Sequence, residues 1–248
     1  MWKARSVCVI LPAFNEEKSV GAQARAFLQL RNHEQEKIVD KVLVVDNNST
    51  DATAERARAA GGQVVKEGRQ GYGFALRRGL LDATTELVVL CEPDGTFAAE
   101  DLPNLLELSR TNEMVVGTRT TCDFIAPGAN MRGFLRWGNI ALAKVFQVLY
   151  RGPSLSDCGC TYRVIHGRVI PGLLDRLSEG GSAFLMNLSI AARLEGLSVV
   201  ETPVHYGPRI GQSKITGNFR GTLRTGMAMF RVALGQWPSF VRERLLFS

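Results

Sequence analysis

Leu87-Val88-Val89-Leu90-Cys91-Glu92-Pro93-Asp94-Gly95 reads as a short apolar strand that ends in two acidic residues. Four consecutive aliphatic residues suit a strand buried on both faces of an α/β sheet, with Glu92 and Asp94 delivered to the sheet's edge. Ligands of such sheets collect there. The two carboxylates are therefore the first candidates for holding a hard divalent cation, which in turn neutralises a diphosphate. Taken alone, the stretch has a competing reading as a loop with solvated acids.

Upstream, Val7 to Leu11 is a first strand, stopped by Pro12, and Ala13-Phe14-Asn15-Glu16-Glu17 lies where strand gives way to helix. The spacing of Val20, Ala24, Phe27 and Leu28 predicts a helix from Ser19 to about Arg31. Lys41 to Val45 is a second strand, ending at Asp46. The polar turn Asp46-Asn47-Asn48-Ser49-Thr50-Asp51 follows, with Ser49 or Thr50 placed to cap a helix from Asp51 to Ala60. Gly61 and Gly62 end that helix, and Val64 and Val65 make a short third strand. The stretch Gly68 to Gly79 begins as a glycine loop and becomes a helix. Its backbone at Gly71 and Gly73 is free to approach a ligand, while Arg77 and Arg78 bring positive charge. It lacks the G-x-G-x-x-G dinucleotide fingerprint after the first strand. Strand and helix thus alternate as in a mostly parallel sheet flanked by helices, an α/β fold.

Downstream, Thr96 to Pro103 reads as a capped helix start, the helix runs through Leu105, Leu106 and Leu108, and Met114 to Gly117 is a strand, whereas Thr118 to Asn130 has no period and reads as a loop above the site. Phe134 to Tyr150 is the most apolar helix. Its apolar residues cover much of its circumference, and Arg132, Arg136, Lys144 and Arg151 surround them. A buried core or dimer helix and shallow insertion at a membrane surface both fit. Ser156-Asp157-Cys158-Gly159-Cys160-Thr161-Tyr162-Arg163 gathers an aspartate, a glycine and an arginine in a segment that otherwise reads as strand. Gly180 and Gly181 read as a flexible point. Pro208-Arg209-Ile210-Gly211-Gln212-Ser213-Lys214 pairs long cations with a glycine and a hydroxyl, either to fold over phosphates or as a solvated basic loop. The tail from Thr222 to Leu234 is amphipathic and basic.

With 248 residues, 45% hydrophobic and 22% charged, the chain has the balance of a globular α/β protein rather than a disordered or collagenous one. No run of roughly 18 apolar residues marks a membrane span. The start has no signal-peptide pattern, so a cytoplasmic location is expected, with peripheral contact at the inner membrane face as the variant. The net charge of +6 permits a polyanionic partner without choosing one. Scattered basic residues without an aromatic reading surface argue against nucleic acid. Five cysteines with no CxxC pair read as reduced structural thiols rather than a zinc site.

From Pro12-Ala13-Phe14-Asn15-Glu16 to Arg209-x-Gly211-x-Ser213-Lys214, the order and spacing of these motifs resemble the inverting family 2 glycosyltransferases. The likeness is closest to the dolichyl- and polyprenyl-phosphate mannose or glucose synthase branch. It implies a GT-A fold over residues 1–220 with a C-terminal amphipathic helical extension over 221–248. It also implies Mg²⁺- or Mn²⁺-dependent transfer from a nucleoside diphosphate sugar, UDP- or GDP-linked, with inversion. By resemblance, Pro12, Ala13, Asn15, Glu16, Asp46, Gly71, Gly73 and Arg77 hold the nucleotide. Asp94 holds the metal. Glu92 stands where the family has its first aspartate, so its part as a ligand is open. Asp157 matches the acceptor-side aspartate and is the candidate base, followed by Arg163. Arg209, Ser213 and Lys214 close over the diphosphate. The acceptor is a polyprenyl phosphate or, alternatively, a soluble small molecule or saccharide, and a nucleotide-sugar-binding protein without turnover is the third reading. A homo-oligomer is left open.

Overall fold

A computed structural model describes Trp2 and residues 4–131, 133–177, 180–211 and 219–246. Among these, β1 (Val7–Ala13), β2 (Lys41–Asp46), β3 (Gln63–Lys66), β4 (Leu87–Leu90), β5 (Met114–Thr118), β6 (Arg163–His166) and β7 (Val199–Pro203) form one seven-stranded sheet in the order β3-β2-β1-β4-β6-β5-β7. Every pairing is parallel except the two made by β6. The carboxyl ends of the parallel strands therefore open on one edge, and β6, running the other way, begins there. The segment Ser156 to Tyr162, read above as strand, is instead the loop that leads into β6 at that same edge.

β1 runs through Pro12, which the sequence reading took as its stop. Ile10 accepts from Cys91 N on the β4 side, so Pro12, two residues on, faces that side too. Pairing with β4 ends at Leu90. The missing N–H of Pro12 thus costs no ladder bond.

The helices are α1 (Val20–Gln29), α2 (Thr53–Ala59), α3 (Tyr72–Asp82), α4 (Leu102–Leu108), α5 (Phe134–Tyr150), α6 (Ile170–Arg176), α7 (Phe184–Leu194) and α8 (Phe219–Leu246). α1 packs on α2, α3 packs on α6 and α7, and the strands they cover are wholly buried at β1 and β4. α2 is not capped by Ser49 or Thr50. Asp51 accepts from Thr53 N at its start, while Ser49 Oγ and Thr50 N are bonded to Asn15.

Gly73 and Gly180 serve packing rather than ligand approach or flexibility. Gly73 N donates to Gly180 O at 2.9 Å, and a Cβ on Gly73 would sit 2.7 Å from the Gly180 carbonyl carbon. Burial raises the Cys8 thiol to about 11 and those of Cys158 and Cys160 to about 12, so these three side chains stay protonated and pack as small hydrophobes.

α5 and α8 build a second apolar cluster with α7. Ala143, Phe146 and Tyr150 of α5 meet Met186 and Ile190 of α7 and Met229, Ala233 and Phe240 of α8. The Tyr150 hydroxyl donates to Ala233 O at 2.6 Å. One side of α5 is therefore core, as the sequence allowed, while the rest is not.

Candidate active site

The polar end of the site is made where β1 and β4 stop. Glu16 and Asp94 face each other across the guanidinium of Arg209, which donates from Nη1 to Asp94 Oδ2 at 2.7 Å and from Nη2 to Glu16 Oε1. Asp94 Oδ1 accepts from Thr96 N at 3.0 Å and Thr96 Oγ1 at 2.6 Å. Backbone bonds hold the Arg209 loop in this position, from Ile210 N to Asp94 O and from Gly207 N to Thr96 O. Gly95 between them has φ +76°, and a Cβ there would lie 2.9 Å from Ile210 Cδ1, so the acidic turn and the arginine loop need this glycine.

Glu92 is held differently. The hydroxyls of Tyr72 and Thr161 both donate to its Oε1, at 2.7 and 2.6 Å. Burial and then the Asp94 charge push its carboxyl above the usual range, against the two hydrogen bonds.

Burial likewise pushes the Glu16 carboxyl up to about 7; Arg209 opposes this, and Asp94 and Glu92 add to it. Because the folded value lies above the ordinary 4.5, the folded chain holds this proton more tightly than the unfolded one. Glu16 therefore lowers stability as pH rises from about 4.5 through about 7. Glu16→Gln removes that term. The ligand-free protein's melting temperature is expected to fall relative to the variant's between about pH 5 and about pH 7.5, and a pH-independent difference would contradict the assignment.

Two carboxyl groups on one guanidinium, with Glu92 lining the same cavity, leave an all-oxygen donor set, which suits a hard cation. Among the described residues no group of three or more His, Cys, Asp or Glu is arranged as a complete metal shell. A cation here would need oxygens from a ligand's phosphates besides one or two carboxylates. Arg209 Nε is buried with no hydrogen-bond partner, a donor left over for such an anion. The residues present fit the cation: Asp94 offers Oδ2, which here faces only Arg209, and Glu92 is held through Oε1 alone, so both carboxylates are candidate ligands.

A cavity of about 670 Å³ starts here. Pro12, Ala13, Glu16 and Gly71 line it together with Glu92, Asp94 and Arg209. Asn47, missed by the sequence reading, lines it too. Its side chain accepts from Gly71 N at 2.7 Å and donates to Glu67 O and Arg69 O, fixing the glycine loop. Asn15 and Asp46 lie just behind the wall. Asp46 Oδ1 accepts from Ser49 N, and Asn15, at φ 55°, binds the same turn. Gly73 and Arg77 are not on the cavity wall, and Arg78 is paired with Asp82.

Asp157, expected on the acceptor side, is fully buried. Its Oδ2 accepts from Arg119 Nε at 2.7 Å, and its Oδ1 accepts from Arg119 Nη2 at 2.9 Å and Gly159 N at 3.1 Å. It does not line the cavity; Arg119 does. Burial works against the Arg119 charge, and the Asp157 carboxylate outweighs this and keeps it protonated. Asp157 is thus a positioner of Arg119, and has no free oxygen for a base. Behind it, Glu201 accepts from the backbone N of Ser156 and Asp157. Arg163 is entirely buried, bonded to Cys160 O, Cys158 O, Leu185 O and Ser189 Oγ, and holds the loop from inside rather than reaching a ligand. Ser213 and Lys214 lie outside the described residues. His205 is paired with Asp101 at 2.7 Å, away from the cavity.

No motif pointed to Arg119, which follows β5 in the stretch without period. Beyond it the cavity runs past Asn139 between α5 and α8, where Leu135, Leu142, Met227, Met229 and Phe230 line it. Arg136 of α5 is bonded through Nε to Thr120 O and does not line the cavity. One space therefore joins an acidic, arginine-bridged end to an apolar trough.

Known proteins were compared with this chain. The profile of the family described as "Glycosyl transferase family 2" matches residues 8–170. An uncharacterised glycosyltransferase of Mycobacterium tuberculosis is 34% identical over 220 residues, covering 88% of this chain and 93% of that protein. The undecaprenyl-phosphate mannosyltransferase of Micrococcus luteus is 28% identical over 256 residues, covering 96% of this chain and 98% of that protein. Among solved structures, glucosyl-3-phosphoglycerate synthase from Mycobacterium tuberculosis, in complex with Mn²⁺, UDP-glucose and phosphoglyceric acid, superposes with a TM-score of 0.71. It is 20% identical and covers 95% of this chain and 81% of that one, a likeness of fold. With the GT-A sheet, the edge site and the profile in agreement, the chain belongs to glycosyl transferase family 2 and is a glycosyltransferase.

Proposed function

We propose that the protein transfers a hexose, with inversion, from a nucleoside diphosphate sugar to a polyprenyl phosphate, using Mg²⁺ or Mn²⁺. The observation that carries this reading is the single cavity that passes from Glu16, Asp94 and Arg209, by way of Arg119, into the apolar trough between α5 and α8. An anionic head on a hydrocarbon tail matches that sequence of surfaces.

In this reading Asp94 holds the cation, and Arg209 stays beside the diphosphate it bonds. Bound Mg²⁺ or Mn²⁺ supplies positive charge that stabilises the departing diphosphate. The polar pocket formed by Pro12, Ala13, Asn47 and Gly71 receives the nucleotide, with Asp46 and Asn15 shaping its turn. Arg119 seats the acceptor phosphate on the far side of the sugar, where in-line attack inverts the anomeric centre. Phosphate is already anionic at neutral pH and needs no base. That accords with Asp157, whose two oxygens are spent on Arg119 and Gly159. Within the segment 221–248 treated as an extension, the described part, α8 to Leu246, completes the acceptor trough.

Two other outcomes follow from known proteins and from the Glu92 departure: a soluble phosphorylated acceptor, as in the glucosyl-3-phosphoglycerate synthase complexes, or donor binding without turnover. Incubation with UDP- and GDP-sugars, Mn²⁺ and one acceptor at a time separates them by product mass. A short-chain polyprenyl phosphate is expected to gain one hexose. Transfer only to phosphoglycerate or a saccharide would replace the lipid reading, and donor binding with neither transfer nor hydrolysis would replace catalysis.

A further inference from the structure

Two neighbouring helices carry apolar stripes that stand exposed among the described residues. On α5 the exposed positions are 134, 137, 141, 144 and 148, spaced by three and four residues, and four of the five are apolar. Phe134, Trp137 and Val148 are 60%, 64% and 77% exposed. On α8 the stripe is Leu223, Met227, Phe230, Leu234 and Trp237, each 41–46% exposed. A neighbouring side of α8, roughly 100° round the helix, is already used, through Met229, Ala233 and Phe240, to pack on α5 and α7. Core packing therefore accounts for the inner side of each helix and not for the outer one, and a surface of this size calls for an occupant.

Charge selects the occupant. α5 contains Arg136 and Lys144 and no acid, and α8 contains five arginines and one glutamate. Arg224 and Arg231 are exposed, each next in sequence to a stripe residue. A second copy of this face, brought up by two-fold symmetry, would set arginine against arginine with almost no acid to answer it. An anionic lipid surface offers both an apolar layer for the stripes and negative headgroups for the flanking cations. Among the described residues no helix is long and apolar enough to cross a membrane. Phe134, Leu223, Met227 and Phe230 belong to the stripes and also line the cavity, so its apolar end opens on this face.

We infer that the α5–α8 face docks in the plane of an anionic bilayer, with the outer stripes among the acyl chains and the cavity mouth turned toward the lipid. The surface carries this without the acceptor reading; the two meet only at the cavity mouth.

The test uses the full chain and vesicles of phosphatidylcholine, with or without phosphatidylglycerol and containing no polyprenyl phosphate. Co-sedimentation is expected with the anionic vesicles and is expected to weaken as salt rises. Trp137→Glu combined with Leu234→Glu, neither of which lines the cavity, is expected to lower vesicle affinity about tenfold or more. Arg224→Glu with Arg231→Glu is expected to abolish the preference for anionic over neutral vesicles. Melting curves equal to that of the unmodified protein confirm that each variant is folded; should the apolar pair unfold, the arginine pair carries the test. No co-sedimentation, or binding that neither pair alters, would overturn the inference. So would a stable dimer that Leu234→Glu dissociates and that ignores vesicles. Transfer to a water-soluble prenyl phosphate is measured separately without vesicles. Transfer without docking would refute this inference alone, and docking without transfer would refute the acceptor reading alone.

Discussion

Asp94→Asn is expected to reduce metal-dependent sugar transfer by roughly 10²–10³-fold or more while leaving the fold in place, because removing one group that stabilises developing charge typically costs that much. The substitution keeps a side-chain oxygen that can still accept from Thr96 N and Thr96 Oγ1. It removes the charge that faces Arg209, which retains its bond to Glu16. Stability should therefore change by about 1–2 kcal/mol at most. Calorimetry with Mn²⁺ and a nucleoside diphosphate should show the cation contribution lost in the variant. An unchanged rate across a metal titration would remove Asp94 from the cation site.

Asp157→Asn is expected to act through Arg119 and to be costly for two reasons. The guanidinium is only 14% exposed and its partner carboxylate is fully buried, so removing the negative charge strands a buried cation, at about 3–5 kcal/mol. Arg119, which lines the cavity and is proposed to seat the acceptor, then loses its bidentate anchor. The acceptor KM should rise while donor affinity stays close to that of the unmodified protein. A general base would behave otherwise in the kinetics, with kcat falling and acceptor KM held, on top of the same loss of stability. Melting checks the stability loss, steady-state measurements on the one variant distinguish the two, and the second pattern would restore Asp157 as a base.

Sequence pattern located the sheet's parallel half because Val7 to Leu11, Lys41 to Val45 and Leu87 to Leu90 are continuous apolar runs, which only strands buried on both faces require. The acidic pair after Leu90 was legible for the same reason, since a buried strand has to end where its ligands gather. What depends on neighbours distant in the chain was not. Gly73 looks like a phosphate-loop glycine until Gly180 is found against it. Arg163 carries a binding residue's chemistry, yet its partners are the carbonyls of the Cys158–Cys160 loop and of α7. Arg119 sits in a stretch without period, and its pairing with Asp157, 38 residues on, exists only because β6 runs opposite to β5 and starts at the same edge. α5 was ambiguous for a physical reason as well, since one side is core and the other is a bare apolar stripe, and composition averages the two.

The account depends on a cation that Asp94 shares with the diphosphate of the donor. Anomalous scattering from a crystal soaked with Mn²⁺ and a UDP- or GDP-sugar tests this most directly. A manganese peak within bonding distance of an Asp94 oxygen, bridging to the diphosphate beside Arg209, is the result expected. A nucleotide bound elsewhere, or a manganese held by other residues with Asp94 turned away, would contradict it.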